Sequence, residues 1–230
     1  MHSRALVAEA LGTAFLLAAV VGSGIMGEQL AGGNVAIALL ANTLATGAAL
    51  VALILTFGPI SGAHFNPVVS LADASQGGIM WAAAAKYVVA QIVGALAGVA
   101  AAHLMFAKPI FAVSTHARSG LSQAFSESVA TFGLLSVIWG CSRRQPKVVA
   151  FAVGAYITAA YWFTASTSFA NPAVTIARTL TDTFAGIRPA DAPGFIVAQL
   201  IGAAASTLAF RWLVPALSHT AEPAALPREH

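Results

Sequence analysis

The sequence predicts an all-α membrane protein in which six spanning helices and two re-entrant half-helices form an inverted repeat. Three observations predict it. Of the 230 residues, 58% are hydrophobic and only 8% are charged, against roughly 25% charged in soluble domains. Six segments are apolar over the ~20 residues that a bilayer core requires. Finally, three short motifs recur in the same order in the two halves of the chain.

The elements follow in order. Ala5–Ile25 is too long, and too interrupted by Glu9, to read as a cleaved signal peptide, and is expected to be retained as the first span. Val35–Phe57 is the second. Pro59–Met80, broken by Gly, Asn and Pro, is too short to cross and reads as a re-entrant segment, a loop dipping in followed by a half-helix coming out. Tyr87–Ala107, Leu121–Gly140 and Val148–Thr167 are the next three spans, Thr164–Thr181 is a second re-entrant segment, and Ala192–Phe210 is the last span.

AEALGTAFLL (Ala8–Leu17) overlays SESVATFGLL (Ser126–Leu135), aligning Glu9 with Glu127. NPVVSLAD (Asn66–Asp73) overlays NPAVTIAR (Asn171–Arg178), and VAQIVGALAG (Val89–Gly98) overlays VAQLIGAAAS (Val197–Ser206). Each half holds three spans, an odd number, so the second half enters the membrane from the opposite face. Irregular backbone at membrane depth survives only where protein buries it or where it lines a watery cavity, so two facing re-entrant segments imply a pore. Residues 1–220 are accordingly expected to form one transmembrane channel domain, with repeats at about 4–107 and 121–214, and residues 215–230 a short polar tail.

The net charge is +3, yet the basic residues are scattered and form no patch with interleaved aromatics, so no nucleic-acid partner is expected. Topology accounts for them better. Arg143, Arg144 and Lys147 form the densest cluster, and basic residues favour cytoplasmic span ends. That places both termini in the cytoplasm, with Arg4, Lys86, Arg211 and Arg228 on the same side and Lys108, Arg118 and Arg188 outside, in a cell (inner) membrane protein. Cys141 is the only cysteine and excludes an internal disulfide. No cofactor fingerprint, metal-ligand spacing or nucleophile elbow stands out, so the expectation is no enzyme, no cofactor and no metal.

Asn is a strong N-cap and Pro suits the first helical position, so Asn66-Pro67 and Asn171-Pro172 each start a half-helix. The capping oxygen is then occupied, and the NH2 group is expected to point outward as a midplane donor to a passing solute. Each helix N-terminus also carries roughly half a positive charge, which repels cations where the two meet. Glu9 and Glu127 lie inside spans, where a charge is costly. They read as buried acceptors for the free amides of the re-entrant loops, with a proton relay or ion site as the alternative. Gln91 and Gln199 read as buried hydrogen-bonding partners, and His64 as a pore-wall donor, with a pH-sensitive gate as its alternative. Gly94, Gly98, Gly202 and Ser206 are small residues at four-residue spacing, as close helix packing needs.

SGAHFNPV and FANPAV, each with an upstream Glu and a downstream AQ-x-x-GA, resemble the major intrinsic proteins, the aquaporins and aquaglyceroporins, over about residues 4–214. The resemblance implies the six-plus-two fold, a pore in every subunit and a homotetramer. This chain departs from the family at Val68, where Ala is usual, and at Val174, where most members carry Arg, as in certain bacterial aquaglyceroporins associated with metalloid handling. Carrying the outer selectivity filter over by spacing gives Thr46, Ala159, Ser168 and Val174. All are small and uncharged, which predicts an unusually wide constriction. Arg178, one turn beyond Val174, either biases the outer vestibule or snorkels to the interface.

The implied function is passive diffusion of small uncharged solutes across the lipid bilayer: glycerol-like polyols, water and, by resemblance, neutral metalloid hydroxides such as arsenite. A proton-coupled secondary transporter and a pore-closed structural protein are the alternatives.

Overall fold

The computed structural model describes residues 3–214, apart from the side chains of Arg143 and Arg144. The expected polar tail and Arg228 lie outside the described residues. In chain order the helices are α1 (Ser3–Leu30), α2 (Val35–Ser61), α3 (Pro67–Ser75), α4 (Trp81–Met105), α5 (Leu121–Arg144), α6 (Val149–Phe163), α7 (Pro172–Arg178) and α8 (Ala192–Leu213). A 3-10 turn over Pro146–Val148 leads into α6. Six of these elements are long and apolar enough to cross a membrane. The two short ones, α3 and α7, are the half-helices.

Most boundaries extend beyond the apolar windows. α1 has 28 residues, about 42 Å at 1.5 Å per residue, so its ends outrun a core of about 30 Å. α2 continues through Pro59, and the first re-entrant loop therefore starts at Gly62 rather than at Pro59. Proline is tolerated there because the helix is already ending: Gly62 takes a left-handed conformation (φ 90°) and its amide closes on the Gly58 carbonyl at 2.9 Å. α6 stops at Phe163, four residues before the expected end, and Thr164 caps it by donating its hydroxyl to the Ala160 carbonyl (2.6 Å).

α1 packs against α2 and α4, α5 packs against α6 and α8 in the same way, and α2 against α6 joins the halves. Large apolar side chains such as Phe15, Leu44, Val93, Phe125 and Leu208 cover the outside, while Glu9, Gln91, Glu127 and Gln199 are fully buried. This distribution suits a lipid solvent, which lets apolar groups face outward and demands that polar groups pair inside. At the α1–α4 crossing a Cβ on Gly94 would overlap the Ala10 carbonyl oxygen, and at the equivalent α5–α8 crossing one on Gly202 would overlap that of Ser128. Backbone cannot step aside cheaply, so Gly202→Val is expected to cost at least ~1–3 kcal/mol. Thermal unfolding in detergent checks this, with Gly194→Val, which meets nothing within 4 Å, as the variant that leaves the midpoint unchanged.

Candidate functional site

The two re-entrant loops are built residue for residue on the same plan. Counting back from Asn66 and Asn171, the pairs Gly62/Thr167, Ala63/Ser168 and Phe65/Ala170 all adopt left-handed conformations, with φ of 90°/59°, 48°/50° and 49°/48°. Five of these six residues are not glycine, and each costs on the order of 1 kcal/mol in that region. What holds them is the buried glutamate behind each loop. Glu9 accepts from the amides of His64 (3.0 Å) and Phe65 (2.7 Å), from Ser61 Oγ (2.6 Å) and from Gln91 Nε2 (2.8 Å). Glu127 accepts from the matching amides of Phe169 and Ala170 (both 2.8 Å), from Gln199 Nε2 (2.7 Å) and from the Ser166 side chain. Gln91 and Gln199 each use the same nitrogen to reach the adjoining half-helix, at Ser70 Oγ and Thr175 Oγ1 (2.9 Å each).

At the centre the loops meet tip to tip. Asn66 Oδ1 accepts from the Val68 amide (3.1 Å), and Asn171 Oδ1 from those of Ala173 (3.0 Å) and Val174 (3.2 Å), so both cap their half-helices. Their amide nitrogens do not simply point outward, as the sequence suggests. Asn66 Nδ2 donates to the Ala170 carbonyl (2.7 Å) and Asn171 Nδ2 to the Phe65 carbonyl (2.8 Å), a reciprocal clasp between the two loops. One N–H of each amide is spent there and the second remains available.

Both asparagines line a cavity of about 800 Å³, counted with its open ends. One wall is apolar, with Leu50 and Ile54 of α2 facing Val149, Val153 and Ile157 of α6. The opposite wall is loop backbone. The lining loop residues Gly62, Ala63 and His64, with Ser168 and Phe169, have carbonyls that accept no hydrogen bond from the described residues.

Thr46, Ser168 and Val174 line this cavity, and Ala159 does not. Ala159 is exposed on the outward face of α6, because the inward stripe of that helix runs in steps of four through Val149, Val153, Ile157 and Tyr161. Tyr161 stands in the lining instead, its hydroxyl 3.4 Å from Thr46 Oγ1. Of the two readings of Arg178, the snorkelling one does not match its placement: it is 2% exposed and lines the cavity. Its guanidinium lies 3.4 Å from the centre of the Phe169 ring, and Nε donates to the Ala185 carbonyl. An aromatic ring and a guanidinium thus join a lining that the sequence composes of small uncharged side chains alone. His64 lines the cavity too, but its ring is turned to Ser70 (Nδ1···Oγ 3.0 Å) and Asp73 (Nε2···Oδ2 3.7 Å), so the ring is no free wall donor.

The mouth beside Arg178 is closed in by the segment between α4 and α5. Ala112 and Ser114 donate their amides to the carbonyls of Leu180 (3.0 Å) and Thr179 (2.9 Å), and Thr115 donates its amide and hydroxyl to Asp182 Oδ1 (2.9 Å each). Arg118 hands its side-chain donors to the carbonyls of Gly186 (2.8 Å), Ser166 and Phe184 (3.4 Å each). Burial, with the nearby Arg118 and Arg178 charges, holds the His116 imidazole below its ordinary pKa, so at neutral pH it adds no third positive charge. The sequence assigns Tyr161 and Phe169 no site role, and Arg118 only a place on the outer side. The four-residue stripe on α6 carried the signal for Tyr161.

Among the described residues, no group of three or more His, Cys, Asp or Glu side chains is placed to hold a metal ion. The pattern of the family described as Major intrinsic protein (MIP) matches residues 1–148 and 141–228. The chain belongs to the major intrinsic protein family. As a member it is a multi-pass membrane channel. It is 55% identical to aquaglyceroporin AqpS of Rhizobium meliloti (strain 1021) over 212 residues, 92% of this chain and 91% of that one. With aquaporin NIP1-3 of Oryza sativa subsp. japonica it shares 33% identity over 74% of this chain and 61% of the longer relative. Its fold matches the X-ray structure of the aquaglyceroporin from Plasmodium falciparum with a TM-score of 0.73 at 20% identity, covering 94% and 99% of the two chains.

Proposed function

We propose that this channel conducts small uncharged hydroxylated solutes, glycerol foremost, together with water, by passive diffusion past Asn66 and Asn171. One observation carries the reading: a single cavity has an apolar wall facing a loop wall of unpaired carbonyls, with the Asn–Asn clasp at its centre. A polyol has carbon on one side and hydroxyls on the other. Its carbons can lie against Leu50, Ile54 and Val153 while its hydroxyls donate to the loop carbonyls and accept from the asparagine amides. Water uses the polar half alone. Cations meet two half-helix N-termini pointing at one junction. Neutral metalloid hydroxides carry the same outward hydroxyls and fall in the same solute class. The names of the relatives, aquaglyceroporin and aquaporin, agree with this reading.

The proton-coupled alternative is disfavoured by Glu9 and Glu127, whose carboxylate oxygens are occupied by loop amides and glutamine nitrogens. We further propose one channel domain per chain, a homotetrameric assembly, an inner-membrane location and cytoplasmic termini, the last from the sequence cluster of Arg143, Arg144 and Lys147.

Asn171→Asp keeps the capping oxygen, removes the donor that reaches Phe65 and adds a negative charge at the junction. Glycerol flux into proteoliposomes is expected to fall on the order of tenfold, as loss of a hydrogen bond of ~1.5 kcal/mol or more implies. Unchanged flux at equal protein content would rule out the midplane role.

A further inference from the structure

We infer that Arg178 is the specificity-determining residue of the outer constriction, supplying from one turn further along α7 the fixed charge and hydrogen-bond donors that Val174 cannot. The inference rests on the channel reading above and adds what the far mouth selects: neutral, oxygen-bearing solutes, with cations refused.

The position of Val174 on α7 faces the cavity but offers neither charge nor donor. Helical side chains lean toward the N-terminus of their helix, so a long side chain at 178 returns toward the level of 174. Arg178 does so: it lines the same cavity as Thr46, Tyr161, Ser168 and Val174. Two contacts fix its pose, the face of Phe169 at 3.4 Å and the bond from Nε to the Ala185 carbonyl. Neither terminal nitrogen donates to a group of the described residues, and Nη1 is fully buried. The guanidinium is therefore clamped with donor capacity unspent, as a solute oxygen requires.

The inverted repeat shows that this arrangement belongs to one mouth only. Asp73 is the counterpart of Arg178, and His64 the counterpart of Phe169. At the near mouth these positions carry an imidazole 3.7 Å from a carboxylate, and Asp73 does not line the cavity. At the far mouth the same two positions carry an aromatic ring under a cation. Arg118 adds a second guanidinium, 5.1 Å from the same ring. Among the described residues no carboxylate forms an ion pair with either arginine. The far mouth thus holds two guanidiniums that no carboxylate pairs, Asp182 being taken up by Thr115, while the near mouth pairs its polar groups with one another.

Two variants test this in proteoliposomes of equal protein content, with glycerol, xylitol and methylammonium as probes. Wild type is expected to pass glycerol, to pass xylitol slowly and to exclude methylammonium. Arg178→Met removes a full charge at close range in a partly desolvated site, so methylammonium entry is expected to rise on the order of tenfold or more, with the xylitol-to-glycerol ratio rising as well. Wild-type probe rates in a variant that conducts glycerol normally overturn the inference. Should Arg178→Met fail to reach the membrane, Arg178→Lys gives the reading. It keeps the charge and loses the planar stack and the Nε bond, so methylammonium stays excluded while xylitol passes faster; a Lys variant matching wild type on all three probes overturns the inference. Absence of glycerol flux in the wild type itself overturns the channel reading and this inference together.

Discussion

Glu127→Gln is expected to lower thermal stability and membrane yield sharply while leaving any pH dependence of transport unchanged. In the native site Oε1 accepts from the Phe169 amide at 2.8 Å, and Oε2 accepts from the Ala170 amide at 2.8 Å and Gln199 Nε2 at 2.7 Å. A glutamine has one acceptor oxygen, and its NH2 end meets a donor whichever way the amide is turned. Each stranded buried donor costs ~1–3 kcal/mol. The left-handed backbone of Thr167, Ser168 and Ala170 then loses the acceptor that holds it. Detergent melting curves and glycerol uptake at several pH values check this. A variant that melts like wild type but loses proton-dependent uptake would show that Glu127 serves transport chemistry rather than loop support.

The second large effect is expected at Val174. Val174→Arg places a long cation in the lining shared with Thr46 and Ser168, one turn from the clamped Arg178. The new side chain both narrows the passage and is repelled outward from its neighbour. Glycerol flux is expected to drop on the order of tenfold or more, and water flux by less than about threefold, because exclusion at a constriction acts through bore and lining donors. Rates for water, glycerol and xylitol in liposomes of equal protein content decide it. If all three stay at wild-type values, Val174 does not border the narrow passage.

Much of this architecture is legible in the sequence, for a physical reason. A bilayer demands long apolar stretches, and an inverted repeat writes its functional residues twice, so Asn66 with Asn171 and Glu9 with Glu127 announce themselves as pairs. What stays hidden depends on side-chain direction. Ala159 and Tyr161 sit two residues apart on one apolar helix, and only the stripe shared with Val149, Val153 and Ile157 says which faces inward. Arg178 reads equally as a snorkelling cation until Phe169 is seen beneath it. The correspondence of His64 with Phe169 is invisible to residue identity, because the repeat conserves the backbone conformation around the two positions and not their chemistry. Pro59 misleads for a related reason: proline marks a break, but within the last turn of α2 it comes three residues before Gly62, where the break falls.

The central claim, passive conduction of neutral solutes through the Asn-Pro junction, is tested most directly by glycerol entry into proteoliposomes of the wild-type protein, measured over a wide concentration range with and without an imposed proton gradient. The account predicts a rate that rises in proportion to concentration and is the same under either gradient condition. A rate that saturates and follows the proton gradient would contradict it.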